Sequence, residues 1–150
     1  MAEPGMRPTA VLFACGMNAV RSPMAATIAR HLFPNQIYVR SAGVRQGEPD
    51  PFVDAVMAEI GMDTSKHRPK TFEELQESGF DLVVTLAPEA HHKALELTRT
   101  ESVDVEYWPT MDPTLATGSR EQILNSYRAV RDQLMARIKK RLGWNPPPSG

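Results

Sequence analysis

Residues 10–23 read AVLFACGMNAVRSP, and the organisation of the whole chain follows from this stretch. The run Ala10-Val11-Leu12-Phe13-Ala14 is continuously apolar, as a strand covered on both faces of a parallel sheet must be. Ser22 and Pro23 then offer an N-cap and a proline at the first helical position. Ala25, Ile28, Ala29 and Leu32 recur at helical spacing until Pro34 stops them. The short loop between strand and helix opens on Cys15 and closes on Arg21.

Outward from this unit the alternation continues. Gln36 to Ser41 alternates as a strand and ends at Ala42-Gly43. Asp50-Pro51 starts a helix with Phe52, Val56 and Ile60 on one face, stopped at Gly61. Thr71-Phe72-Glu73-Glu74 has the capping-box pattern of a short helix closed by Gly79. Asp81 to Leu86 is a third strand by its β-branched and apolar content. Pro88 to Thr98 reads as a helix and Val103 to Tyr107 as a short fourth strand. Ser119-x-x-Gln122 caps the longest helix, whose Ile123, Tyr127, Val130, Leu134 and Ile138 form one stripe reaching Leu142. The expectation is an α/β fold with one domain over residues 9–143. Its core is an open four-stranded parallel sheet with helices on both faces, binding ligands beyond the carboxyl ends of the strands. Residues 1–8 and 144–150 are expected to be a flexible N-terminus and a flexible tail.

The 150 residues carry 17 Lys+Arg against 18 Asp+Glu, a formal net charge of −1. That balance lacks the basic excess by which proteins hold nucleic-acid backbones, so no nucleic-acid partner is expected and any anion must be gripped locally. The apolar stretch at 10–14 is too short for a signal segment or a membrane span, which gives the expectation of a cytoplasmic protein with no membrane partner. A single cysteine excludes an internal disulfide, a Cys₂ zinc site and a CxxC pair. No metal-ligand pattern stands out, and no cofactor is called for.

A loop running from a strand into a helix N-terminus can curl so that successive N–H groups surround a tetrahedral oxyanion, backed by the positive end of the helix dipole. Gly16, Met17, Asn18, Ala19 and Val20 form that loop, and Arg21 and Ser22 close it. Arg21 brings a planar fork that matches two oxygens of phosphate, which a lysine cannot do. Thiols at helix N-termini beside cations titrate at roughly 3.5 to 7.5 rather than 8.5, so Cys15 is expected to act as a thiolate. Beneath a phosphoester it is placed for in-line attack on phosphorus, giving a phosphocysteine intermediate. Ser22 is close enough in sequence to donate a hydrogen bond to that sulfur. The bland alternatives are a core-filling Cys15 and a Ser22 that only caps.

Cys15-x5-Arg21-Ser22-Pro23, with Asn18 inside the loop, Ser41-Ala42-Gly43 after the second strand, His67 at the end of Asp63 to His67, and Asp112-Pro113 near the C-terminus, resembles the low-molecular-weight protein tyrosine phosphatase family. The fold of that family also hosts thioredoxin-coupled arsenate reductases. The resemblance implies that Cys15, Arg21 and Asp112 are catalytic, with Asp112 the general acid, and that Ser41 hydrogen-bonds Asn18 to hold the loop. It implies a phosphorylated protein or small phosphomonoester as substrate, and phosphate, vanadate or sulfate as ligands. Asp112 also makes chemical sense, because an alkyl or tyrosine oxygen leaves poorly unless it is protonated. An Asp before Pro is equally an ordinary turn residue. His67 reads as a hydrogen-bonded structural side chain, His91 and His92 as solvated, and Arg45 and Lys66 as surface charges flanking the mouth. Asp50 and Asp104 stand in reserve as acids.

The chain also departs from the phosphatase pattern. Gly16 stands one residue after Cys15, where the family usually has glycine two residues after it, and Met17 fills that place. Thr114 and Leu115 occupy positions where tyrosines usually wall the slot around a phenyl ring, so an aromatic substrate needs Tyr107 or Trp108 to fold over the mouth. Asp112 to Gly118 resembles instead the arsenate reductase branch, although those enzymes normally have two further cysteines to resolve the arseno-cysteine. Arg21-Ser22-Pro23 fits the phosphatases. The primary expectation is therefore a phosphomonoester hydrolase, in particular a protein tyrosine phosphatase. The alternatives are an arsenate reductase using an external low-molecular-weight thiol and a non-catalytic phosphate or phosphoprotein binder.

Overall fold

β1 (Ala10–Cys15) is buried at every residue after Ala10 and runs down the middle of the sheet, as its unbroken apolar run requires. In the computed structural model, which describes residues 7–146, it lies between β2 (Tyr38–Gly43) and β3 (Leu82–Thr85), with β4 (Asp104–Tyr107) outside β3. All pairings are parallel, in the order β2-β1-β3-β4, with Cys15 level with Gly43. The chain thus moves outward from β1 in one direction to reach β2 and in the other to reach β3. The carboxyl ends of β1 and β3 flank a topological switch point, where such sheets bind ligands.

Alternate residues of the strands feed two layers. Val11, Phe13, Val39, Leu82 and Val84 pack against α1 (Arg21–Leu32), α2 (Pro51–Ala58) and α5 (Arg120–Leu142). On the other face Leu12, Ala42 and Val83 meet Ala94 of α4 (Pro88–Thr98), with Phe72 and Leu75 of the one-turn α3 (Phe72–Leu75) against them. Capping chemistry sets most helix boundaries. Asp50 accepts from Phe52 N ahead of Pro51, Thr71 and Glu74 form a reciprocal box, and so do Ser119 and Gln122.

Several expectations need correction. Ser22 is not the N-cap of α1: the helix begins at Arg21, its cap position is Val20, and no side chain caps it. The Ser22 hydroxyl is taken by tertiary partners instead. α3 ends at Gln76 in a left-handed conformation, before Gly79, and β2 starts two residues later than Gln36 and continues through Gly43. Arg7 belongs to the ordered body, because it donates to Leu142 O and Gly143 O and lies over the Phe33 ring. Trp144 packs on the core with Lys139 over its ring. The expected flexibility of residues 1–6 and 147–150 concerns residues outside those described.

Candidate active site

The loop between β1 and α1 is shaped from outside. Val44 N donates to Cys15 O at 3.3 Å, Arg45 N to Gly16 O at 2.9 Å and Gly47 N to Met17 O at 2.9 Å, while His67 Nε2 lies 2.7 Å from Asn18 O. In a trans peptide the carbonyl and the following N–H point opposite ways. Holding the carbonyls of residues 15 to 18 by these partners therefore turns the N–H groups of Gly16, Met17, Asn18 and Ala19 away from them, which is the arrangement an anion nest needs.

Asn18 is the hinge of this curl. It has φ 53°, a left-handed value that asparagine tolerates better than most residues, and it is fully buried. Its Nδ2 donates to Ser22 Oγ at 2.9 Å and its Oδ1 accepts from Lys70 N at 3.0 Å. Ser22 Oγ in turn lies 3.0 Å from Cys15 Sγ. Because Ser22 accepts from Asn18, its own proton is free for the sulfur, as the sequence suggested. The expected Ser41–Asn18 hydrogen bond does not form. Ser41 is buried on β2, and the backbone of Lys70 holds the amide oxygen instead.

Close approach explains the small residues around the loop. A Cβ on Gly43 would come within 2.7 Å of Asn18 N and 2.9 Å of both Arg45 O and Met17 C. On Gly47 it would crowd Met17. A Cβ on Gly16 would collide with the Glu89 carboxylate, which is itself paired with Arg45 at 2.9 Å. That carboxylate ends a flexible side chain that can swing aside, so position 16 is less constrained than Gly43, and Arg45 is part of an ion pair rather than a lone surface charge.

Arg21 lies over the loop with Nη1 donating to Thr110 O at 2.9 Å and, more weakly, to Leu86 O at 3.5 Å. Both carbonyls follow strands, so the sheet itself aims the guanidinium. Asp112 comes from the segment after β4. Its Oδ1 accepts from Thr114 N and Oγ1, and its Oδ2 faces Arg21 Nη2 at 3.9 Å. Cys15, Arg21 and Asp112, distant in sequence, thus line one pocket of about 210 Å³, together with Met17, Ala19, Val20, Gly47, Glu48, Asp50 and Thr114. Among the described residues, no aromatic side chain lines it. Trp108 is buried edge-on to Phe13, and Tyr107 stacks on His91 with ring centroids 5.0 Å apart, so neither folds over the mouth. His91 is correspondingly not solvated: its Nδ1 bonds Thr85 Oγ1 at 2.9 Å. Sequence reading also missed Lys70 and the contact of Tyr127 Oη with Asp50 Oδ2 at 2.6 Å.

Burial holds the His67 imidazole below its ordinary 6.5, an effect only partly offset by its bond to Asn18 O. A histidine depressed on folding contributes stability that is complete above the unfolded value and is lost as pH falls below it. Wild type should therefore lose more stability between pH 7 and pH 5 than His67→Gln, measured by urea unfolding. Equal slopes would show that His67 is freely protonated in the fold.

The family model for low molecular weight phosphotyrosine protein phosphatase matches residues 10–142. The chain belongs to this family. Within this phosphatase family the chain is 33% identical over 130 residues to an arsenate reductase of Shouchella clausii, covering 87% of this chain and 92% of that one. It is 30% identical over 129 residues to a glutaredoxin arsenate reductase of Synechocystis, covering 86% and 92%. Among solved structures, an arsenate reductase in the phosphate-binding state superposes with a TM-score of 0.72 at 27% identity, covering 90% of this chain and 97% of that one. The chain is an enzyme of the cysteine-based superfamily that includes both phosphatases and arsenate reductases.

Proposed function

We propose that the protein is an arsenate reductase that turns over with an external thiol. The observation that carries this reading is the pocket itself, an oxyanion cradle over one thiol with no aromatic wall for a phenyl ring. The arsenate reductases among its relatives, one of them named for glutaredoxin, support it, and so does the resemblance of Asp112 to Gly118 to that branch. The N–H nest and Arg21 hold arsenate, and the Cys15 thiolate attacks arsenic while Asp112 protonates the departing oxygen, which leaves as water. A first external thiolate then attacks Cys15 Sγ. The sulfur–arsenic bond breaks with its electron pair going to arsenic, which leaves as arsenite, and a mixed disulfide remains. A second thiol frees Cys15. The net change is one arsenate and two thiols to one arsenite, one disulfide and one water.

The test is arsenite formation by the purified protein. It should proceed with 2-mercaptoethanol, or with glutathione plus glutaredoxin, and be undetectable with thioredoxin and its reductase alone, since one cysteine cannot pass on an internal disulfide. Absence of arsenite with every donor would end this reading. Arg21→Lys should lower phosphate affinity and kcat/KM for arsenate about tenfold to a hundredfold, because a point charge cannot span two oxygens. Calorimetry showing unchanged phosphate affinity in Arg21→Lys would contradict the forked contact.

Phosphomonoester hydrolysis is the second reading, favoured by Asp112, whose Oδ2 faces Arg21 at 3.9 Å in the pocket while Thr114 holds its other oxygen. Oδ2 is the one available to protonate a leaving group. On this reading, Asp112→Asn should slow single-turnover release of an alkyl alcohol by about 10² to 10⁴ and that of nitrophenolate little, since nitrophenolate leaves unaided. A Brønsted slope identical in wild type and variant would remove Asp112 from the mechanism.

A further inference from the structure

The pocket over Cys15 carries both signs of charge. Arg21 lines it together with Glu48, Asp50 and Asp112, and Arg21 faces Asp112 at 3.9 Å. Two of the carboxylates are occupied. Asp50 accepts from Phe52 N at 2.9 Å and from Tyr127 Oη, and Asp112 is held by Thr114 and faces Arg21. Glu48 is exposed and, among the described residues, takes part in no hydrogen bond or ion pair. Arg45, three residues away in the chain, is paired with Glu89. Once an oxyanion neutralises Arg21 and the N–H nest, the next reactant meets the exposed Glu48 carboxylate, and Asp50, whose hydrogen bonds come from neutral donors only, adds to the same negative field.

We infer that Glu48 selects the charge class of the thiol that discharges Cys15, admitting a thiol with no negative charge beside its sulfur and preferring a positively charged one. The inference rests on the reductase reading above. Cys15 is only 2% exposed and shares its pocket with the exposed Glu48, so a donor that reaches Sγ enters a space that this carboxylate lines. A charge two or three bonds from the donor sulfur then lies in the same pocket of about 210 Å³ as the carboxylate, inside the distance over which salt screens. Glu48 acts on the approach of the donor and takes no part in holding the oxyanion.

The experiment compares cysteamine, 2-mercaptoethanol and 3-mercaptopropionate as sole donors for arsenite formation, each at equal thiolate concentration, in wild type and Glu48→Gln. Wild type should rank cation above neutral above anion, by about threefold to tenfold per step in kcat/KM, with the steps narrowing in high salt. Glu48→Gln should flatten the ranking while keeping its activity with 2-mercaptoethanol. Because the readout is a ratio between donors, altered folding or arsenate affinity in the variant cancels. Arsenite from all three at equal rates would leave the reductase reading standing and overturn the role of Glu48, as would a ranking unchanged in Glu48→Gln. No arsenite from any donor would overturn both.

Discussion

Cys15→Ser will abolish arsenite formation and ester hydrolysis while leaving oxyanion binding largely intact. Serine is close in size, and the partners that shape the loop are backbone groups together with Asn18, Ser22 and His67, all of which survive the change. The hydroxyl is a far weaker nucleophile than a thiolate at neutral pH, and no second thiol exists to replace it. The loss should be at least about 10⁴-fold, roughly 5 kcal/mol of transition-state stabilisation. Arsenite assay and phosphate calorimetry on the same preparation measure both halves. A collapse of phosphate affinity in Cys15→Ser would mean that the sulfur, rather than the N–H nest and Arg21, holds the anion.

Gly43→Ala should be the most damaging single change outside the residues that touch substrate. The three atoms its methyl would strike belong to the backbone of Asn18, Arg45 and Met17, so no side chain can swing aside. Gly43 is also fixed in place, level with Cys15 in the sheet and donating to Lys70 O at 2.9 Å. The strain must move the anion loop. Overpacking of this kind costs about 1–3 kcal/mol of stability, and displacement of Asn18 should weaken phosphate binding more than tenfold. Gly61→Ala is the matched control: its φ of +75° also disfavours a side chain, but nothing lies within 4 Å of the new methyl. It should cost stability without touching phosphate affinity. Wild-type phosphate binding in Gly43→Ala would show that the loop tolerates displacement.

What could be read from sequence, and what could not, divides along a physical line. The boxes at Thr71 and Ser119 and the cap at Asp50 were legible because a cap is a contact between a side chain and the backbone two or three residues away. Ser22 carries the same local signal, yet its hydroxyl is captured by Cys15 and Asn18 inside the fold, and α1 starts without it. His91 and His92 differ only in what a neighbouring strand places beside them, and Tyr107 is invisible from within the helix. Lys70 supports Asn18 through its backbone N–H, a group every residue but proline possesses, so no side-chain pattern could have pointed to it. Cys15 and Arg21 stood out because a thiol and a guanidinium bracket a strand-to-helix loop, whereas Asp112 before Pro113 reads alone as a turn residue and was picked out by the family resemblance; the fold brings the three to one pocket. The branch of that chemistry was harder, because phosphate and arsenate have the same shape and the same cradle holds either; Thr114, at a position where tyrosines usually wall the slot, was the legible departure.

The segment from Val44 to Gly47 has one more consequence, for the speed of binding. Because it holds the carbonyls of the anion loop through backbone hydrogen bonds of the fold itself, much of the conformational entropy of that loop is given up during folding rather than at the encounter. Association should then follow a single collision step, with an observed rate that rises linearly with oxyanion concentration and shows no plateau from loop closure. Loosening that segment would slow capture before it altered the chemistry, so the loop after β2, which holds backbone carbonyls rather than a reacting atom, governs how quickly the site fills.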